Sequence, residues 1–280
     1  MAPDRAAVAA PGVRTAGFVG IGDQGEPIAG RILAGGFPLA VWARRPDSMA
    51  RLLAAGATAA STPVELGRAC DYVGLCVTTD DDVAEVVETL LPAMRPGSLL
   101  AIHATVSPTG CEELARICAQ RDVRFLDAPV SGGRKVAEAG ALTVMCGGDA
   151  ADLAYAMPVL ATFSDTIIHA GPAGCGQKAK IVNNSLLTAN LGTAVAAIRA
   201  GEALGLDRDT LLEVLGRSSG YSRAIDICRT IPAGGTMSDH GAAILTKDAM
   251  LLQESLPGDA NAAALLAAAR QFFGAALPRP

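Results

Sequence analysis

Short apolar runs separated by stretches of helical spacing recur from residue 15 to residue 171, and then the short runs stop. TAGFVGIG (15–22), PLAVWA (38–43), YVGLCV (72–77), LLAIHA (99–104) and RFLDAPV (124–130) read as strands. GEPIAGRILAGG (25–36), DSMARLLAAG (47–56), DDVAEVVETLL (81–91) and TGCEELARICAQ (109–120) lie between them with apolar residues at helical intervals. Strand and helix in regular alternation predict βαβ units and a parallel sheet. ALTVMCGG (141–148) and TIIHAG (166–171), around a helix near 150–161, extend the same sheet. From 173 to 280 the pattern is helical only: one long helix over 177–204, then helices near 208–217, 222–230, 241–256 and 260–274.

Composition agrees with this division. Half of the residues are hydrophobic while only 4% are aromatic, so the core must be built from Ala, Val, Leu and Ile. That suits helices and doubly covered parallel strands. At roughly 150 residues per domain, the 280 residues make one large domain or two ordinary ones. The net charge of −5 and a pI near 5.2 argue against a nucleic-acid or anionic-membrane binder. Seven scattered cysteines without a C-x-x-C pair, and three isolated histidines, predict neither a disulfide framework nor a metal site. A cytoplasmic location is the natural expectation. MAPDRAAVAAPG lacks the basic start and apolar core of a signal peptide and reads, over residues 1–14, as a flexible leader. The uncharged run 181–198 carries polar residues early and reads as a protein-buried helix, not a membrane span.

The first strand runs into Gly20-x-Gly22-x-x-Gly25 at the start of a helix. In such a turn the first glycine bends the chain, the second admits a pyrophosphate to the backbone, and the third lets helix and strand close. The helix N-terminus then presents free N–H groups to the anion. The strand and βαβ context make this a dinucleotide-binding fingerprint. After the second strand, where an NAD site expects an acid for the ribose, stand Ala43, Arg44 and Arg45. An arginine there pairs with a 2′-phosphate. NADP is therefore the favoured cofactor; solvated arginines and the nearby Asp47 leave NAD open.

Three later segments carry a resemblance. DAPVSGGRKVAEAGALTVMCGG (127–148), GPAGCGQKAKIVNN (171–184) and LTKDAMLL (245–252) resemble signatures of the β-hydroxyacid dehydrogenases, the family of 3-hydroxyisobutyrate dehydrogenase. With the glycine fingerprint, the resemblance covers most of residues 15–255. It implies a Rossmann-type NADP-binding domain over 15–171 and a helical substrate and oligomerisation domain over 172–280. It also implies a long interdomain helix, with the active site in the cleft between the domains. By position, Lys180 is the catalytic lysine and Asn184 its partner, while Ser131, Gly132 and Gly133 hold a substrate carboxylate. Thr105 meets the nicotinamide ribose, Val77 and Thr78 form a cofactor-contacting turn, and Lys247 stands near the bound cofactor. There are departures. Gln24, inside the cofactor turn, and Ile28 replace methionines; Val77-Thr78 replaces Leu-Pro; and Ile102, His103 and Ala104 replace a more polar pattern.

The chemistry these residues offer is coherent. Reducing a carbonyl needs a hydride from the cofactor and a proton at the oxygen. Lys180 and Asn184 are four apart and share a helix face, so an ammonium donor and an orienting amide can act together. Burial lowers a lysine pKa toward neutrality, which suits general acid–base work. Ser131-Gly132-Gly133 supplies a hydroxyl and open backbone N–H groups for a carboxylate. Lys178 and the pair His103 and His169 read as a solvated residue and strand-end residues; Asn183 reads as a capping or packing residue. Asp127 reads as orienting the PVSGG turn, and Asp248 as fixing Lys247 or a helix end. Tyr221 and Arg223 are candidates for the distal pocket, Arg223 for a second carboxylate.

The sequence thus predicts an NAD(P)-dependent enzyme interconverting a small 3-hydroxy acid and its semialdehyde, a homo-oligomer with a small carboxylate-bearing substrate. Reduction of glyoxylate or succinic semialdehyde is the alternative. An imine reductase, or a cofactor-binding sensor without turnover, is a more distant one.

Overall fold

A computed structural model describes residues 12–232 and 237–274. The expected leader therefore lies outside the described residues up to residue 11. The chain divides into two compact units, one ending at Gln177 and the other beginning at Lys178.

The first unit is built on one nine-stranded sheet. Its strands are β1 (Ala16–Val19), β2 (Leu39–Trp42), β3 (Thr58–Ala59), β4 (Tyr72–Leu75), β5 (Leu99–Ile102), β6 (Arg124–Asp127), β7 (Val130–Ser131), β8 (Leu142–Gly148) and β9 (Ser164–Gly171). They lie in the order β3-β2-β1-β4-β5-β6-β8-β7, with β9 also on β8. Strands β1 to β6 pair parallel with one another. The helices are α1 (Gly25–Ala34), α2 (Ala50–Ala54), α3 (Pro63–Ala69), α4 (Asp80–Leu90), α5 (Pro108–Ala119), α6 (Arg134–Ala139) and α7 (Ala150–Leu160). Every residue of β1, β4 and β5 is buried, as strands covered on both faces must be. Alternation divides them between two cores. Phe18, Tyr72, Leu99 and Ala101 join Ile28, Ile32 and Leu160 on one face, while Val19, Val73, Leu100 and Ile102 join Leu66, Val86 and Leu90 on the other.

One expectation changes. β8 was expected to continue the parallel sheet, but it pairs antiparallel with β6 and β7, and β9 then runs parallel to β8. Apolar alternation marks a strand and its buried face but carries no direction. Strand β3 and helices α3 and α6 are also additions to the sequence reading.

The second unit is helical throughout its described residues: α8 (Cys175–Ala203, which begins just before the division), α9 (Arg208–Arg217), α10 (Arg223–Thr230), α11 (Asp239–Ser255) and α12 (Ala260–Phe273). Leu191, Ala194 and Ile198 of α8 pack with Leu212, Ile225, Cys228 and Leu245. α8 is long and apolar enough for a membrane span, yet half of its most apolar stretch is buried inside the protein. Small residues let α8 approach its neighbour closely. A Cβ on Gly192 would lie 1.9 Å from the Ala268 carbonyl oxygen of α12. At Gly30 of α1, by contrast, the nearest atom to such a Cβ is 3.7 Å away. Urea unfolding should separate the two sites: Gly192→Ala should destabilise by about 1–3 kcal/mol, whereas Gly30→Ala should stabilise by up to about 1 kcal/mol.

Candidate active site

The dinucleotide fingerprint is a steric device with one free position. Gly20 has φ +90°, and a Cβ there would lie 2.3 Å from the Cys76 carbonyl oxygen. A Cβ on Gly25 would meet the Gly20 carbonyl oxygen at 1.9 Å. Both glycines are thus demanded by the fold. Gly22 is different: its φ is not positive, and a Cβ would find nothing within 4 Å. Neither the backbone conformation nor the chain's own packing requires glycine there. Beside it, the Gln24 side-chain nitrogen Nε2 is buried and has no hydrogen-bond partner among the described residues. Room at Gly22 and an unanswered donor at Gln24 fit a pyrophosphate-bearing dinucleotide.

The turn after β4 belongs to the same wall, because the Gly20 position abuts Cys76 and the Val77 backbone nitrogen. Val77 is half-buried and Thr78 exposed. Thr79 then caps α4 in a reciprocal capping box with Asp82. The first turn of α4 holds two further segments. Asp80 Oδ1 accepts the Ser107 backbone N–H at 2.9 Å and its hydroxyl at 2.5 Å, fixing the loop that carries half-buried Thr105. Asp82 binds the Arg44 guanidinium, with Glu85 at 3.5 Å on its other side. Arg44 remains 55% exposed, so its present partners are exchangeable for a phosphate.

His103 takes no part in proton transfer. It is buried; Nδ1 donates to the Ala128 carbonyl at 2.8 Å and Nε2 accepts from the Tyr72 hydroxyl at 2.7 Å. It stacks on Phe18 at 5.9 Å, and burial pushes its pKa down to about 4. His169, on β9, bonds the Gly148 carbonyl at 2.9 Å. Both histidines are structural.

Ser131 ends β7, and Gly132 and Gly133 follow at φ +142° and +77°, both exposed. At Gly132 a Cβ would strike Val136 at 2.7 Å, so the backbone of this segment is bare because the turn permits nothing larger. Arg134 fastens the segment to the dinucleotide turn through the Asp23 carbonyl oxygen at 3.3 Å and the Glu26 carboxylate. The expectation for Asp127 needs correction. Its buried carboxylate does not brace the Ser131 turn; it accepts the backbone N–H groups of Gly174 at 2.7 Å and Gln177 at 2.8 Å. Burial raises its pKa to about 6 against the pull of those amides. Gln177, fully buried, extends the clamp by accepting from Val106 N–H at 3.1 Å and donating to the Ala104 carbonyl at 2.9 Å. Asp80, Arg134 and Gln177 were missed from sequence. Their only signal was position beside motif residues.

In the second unit, Lys180 and Asn184 lie on one face of α8, at 8% and 5% exposure. Exposed Lys178 does not share that burial. Burial pushes the Lys180 ammonium down to about 8, with Asp248 opposing the shift and Lys247 adding to it. Asn184 Nδ2 donates to Asp248 Oδ2 at 2.5 Å, and Asn184 Oδ1 accepts from exposed Asn183 at 3.0 Å. Lys247 Nζ lies 2.9 Å from Asp248 Oδ1. Asp248 thus holds Lys247, as expected, and also Asn184. Tyr221 and Arg223 both engage Asp226, at 2.7 and 3.3 Å, at the start of α10. No group of three or more metal-ligating side chains occurs among the described residues, and the free cysteines include buried Cys111, Cys118 and Cys146.

Comparison with known proteins identifies the family. Residues 15–171 match the NAD-binding domain of 6-phosphogluconate dehydrogenase, and residues 174–279 match the NAD-binding region of NADP-dependent 3-hydroxyisobutyrate dehydrogenase. Mitochondrial 3-hydroxyisobutyrate dehydrogenase of Bos taurus is 31% identical, covering 92% of this chain and 80% of its own. The chain belongs to the β-hydroxyacid dehydrogenase family. The NAD-dependent L-serine dehydrogenase of Pseudomonas aeruginosa is 34% identical over 87% of this chain and 86% of its own. The solved structure of Mycobacterium tuberculosis 3-hydroxyisobutyrate dehydrogenase with L-serine superposes with a TM-score of 0.81 at 28% identity, covering 91% of each chain. The chain is therefore an NAD(P)-dependent dehydrogenase acting on CH–OH groups.

The two glycines should part company on substitution. Gly22→Ala should leave the melting temperature unchanged and weaken dinucleotide binding at least tenfold, read by fluorescence titration. Gly25→Ala should lower both stability and binding.

Proposed function

We propose that this dehydrogenase interconverts a small 3-hydroxy acid and its semialdehyde, with Lys180 as general acid and base and NADP preferred over NAD. The observation that carries the reading is the buried Lys180–Asn184 pair with the ammonium brought to about 8. Two substrates named among the relatives, 3-hydroxyisobutyrate and L-serine, share one skeleton: a primary alcohol on the carbon next to a carboxylate-bearing carbon. That skeleton asks for the two things the chain offers. Ser131 and the exposed backbone of Gly132 and Gly133 receive the carboxylate, and Lys180 serves the alcohol oxygen.

Bound, the nicotinamide supplies or accepts the hydride. In reduction, the Lys180 ammonium gives its proton to the carbonyl oxygen; in oxidation, the neutral amine takes the alcohol proton. The two directions need opposite protonation states of one group. Reduction should fall as pH rises through about 8, while oxidation should rise through the same interval. Lys180→Ala should lower kcat at least a thousandfold in both directions and erase that limb; undiminished turnover would overturn the assignment. An NADPH-oxidation screen over methylmalonate semialdehyde, succinic semialdehyde, glyoxylate and cyclic imines, with L-serine and 3-hydroxyisobutyrate in the reverse assay, tests the substrate class.

The cofactor preference rests on Arg44 exchanging Asp82 and Glu85 for a 2′-phosphate. Arg44→Ala should weaken NADPH and spare NADH. Asp82→Asn, which keeps a side chain able to cap α4, should tighten NADPH severalfold and leave NADH unmoved. Calorimetric affinities for the two cofactors decide this, and an unchanged ratio in both variants refutes the preference.

A further inference from the structure

We propose that Arg134 is a positioning residue for the dinucleotide: its guanidinium neutralises Glu26 in the first turn of α1 and so keeps that helix start receptive to the pyrophosphate. The inference rests on the dinucleotide turn at Gly20–Gly25 and is independent of the role of Lys180.

α1 opens on Gly25 and carries Glu26 in its first turn. Two opposed consequences follow from elementary electrostatics. In the empty protein an acid there is favourable, because it faces the positive end of the helix dipole. Once an anion occupies the same helix start, the acid repels it. A chain that takes a pyrophosphate on this turn must answer Glu26 with positive charge or lose affinity. The Glu26 side chain is only 17% exposed, so water does little of that work.

Two arginines from different elements meet it. Arg51 of α2 lies 3.2 Å away but is 76% exposed, so solvent competes for it. Arg134, the first residue of α6, is 31% exposed and bonds Glu26 through Nη2. Its other nitrogens are also engaged. Nη1 donates to the Asp23 carbonyl oxygen at 3.3 Å and lies 3.5 Å from the Asp23 carboxylate. Nε donates to Glu138 at 2.9 Å, one turn along the same helix. A planar fork held at three points is fixed in direction. Asp23, Glu26 and Glu138 against Arg134 and Arg51 leave the cluster one charge negative; without Arg134 it would be two. The place is also the relevant one. Asp23 stands between Gly22, where a Cβ would meet nothing within 4 Å, and Gln24, whose Nε2 is unanswered among the described residues.

The same bonds tie α6 to α1, and a purely mechanical role predicts the opposite sign. If the contact only braces the two helices, losing Glu26 loosens the turn and weakens the dinucleotide. If Glu26 is a charge to be neutralised, losing it strengthens binding.

The test uses the full-length protein as wild type, Arg134→Gln, Glu26→Gln and the double variant. Calorimetric titrations with NADH and with NADPH are run at about 50 mM and about 1 M KCl. At low salt Arg134→Gln should weaken both cofactors by the same factor, roughly five- to tenfold for one unneutralised charge. Relative to wild type, that factor should shrink toward one at high salt, where screening acts within about 3 Å. Glu26→Gln should tighten both cofactors about two- to fivefold. The double variant should return close to wild type. Equal movement of NADH and NADPH separates this effect from that of Arg44, whose loss reaches NADPH alone. Weaker binding in Glu26→Gln, or a double variant no better than Arg134→Gln, overturns the proposal. Should Arg134→Gln fail to fold, the sign of the change in Glu26→Gln decides by itself. A wild type that takes up neither cofactor would sink the dinucleotide site, and this proposal with it.

Discussion

One buried carboxylate holds the first unit's motifs together. Asp127, at the end of β6, accepts two backbone N–H groups from the segment that opens α8, where helix donors have no partner of their own. A carboxylate there is favoured by both hydrogen bonding and the helix dipole. It fits because glycine surrounds it. A Cβ on Gly147 would come within 2.4 Å of Asp127 Oδ1, and one on Gly176 within 2.8 Å of Oδ2. The antiparallel pairing of β8 with β6, which sets Asp127 against Gly147, makes that box possible. Gln177 then ties the same turn to the backbone of residues 104 and 106, flanking Thr105. The glycines of GPAGCG are therefore packing requirements, Gly176 against Asp127, Gly174 against Glu112 and Pro108, and Gly171 against Cys175.

The polar residues of the second unit follow a parallel logic. Burying Lys180 lowers its affinity for a proton, and burying Asp248 near it partly restores that affinity. The Asn184 amide is in turn held by Asp248.

Much of the fold was legible because period and punctuation carry it. Four-residue strands such as β1 and β5 read as apolar runs, and α9 follows its predicted limits. The misses have physical causes. α3 is short, opens on Pro63 and carries Gly67, while α6 spans six residues behind a positive-φ glycine, so neither shows enough turns for a period to appear. The direction of β8 depends on how the chain returns after Ser131, which alternation does not encode. Lys180 and Asn184 were singled out by the resemblance of GPAGCGQKAKIVNN to a family signature, and their spacing of four adds only that they share a helix face. Asp248 lies 64 residues from its Asn184 partner, and Gln177 lies 73 from Ala104, so no local pattern announces those bonds. Asp127 was noticed but given the wrong partners, since its true ones are backbone amides.

Gly22 and Gly25 sit three residues apart in a single motif, yet only one of them is crowded. Replacing Gly25 drives a side chain into the Gly20 carbonyl, a fault that cellular quality control would detect as misfolding. Replacing Gly22 meets only open space, so the altered chain would fold and accumulate at normal abundance. Change at the open position can therefore accumulate in a lineage without any scar on its architecture, whereas change at the crowded one cannot.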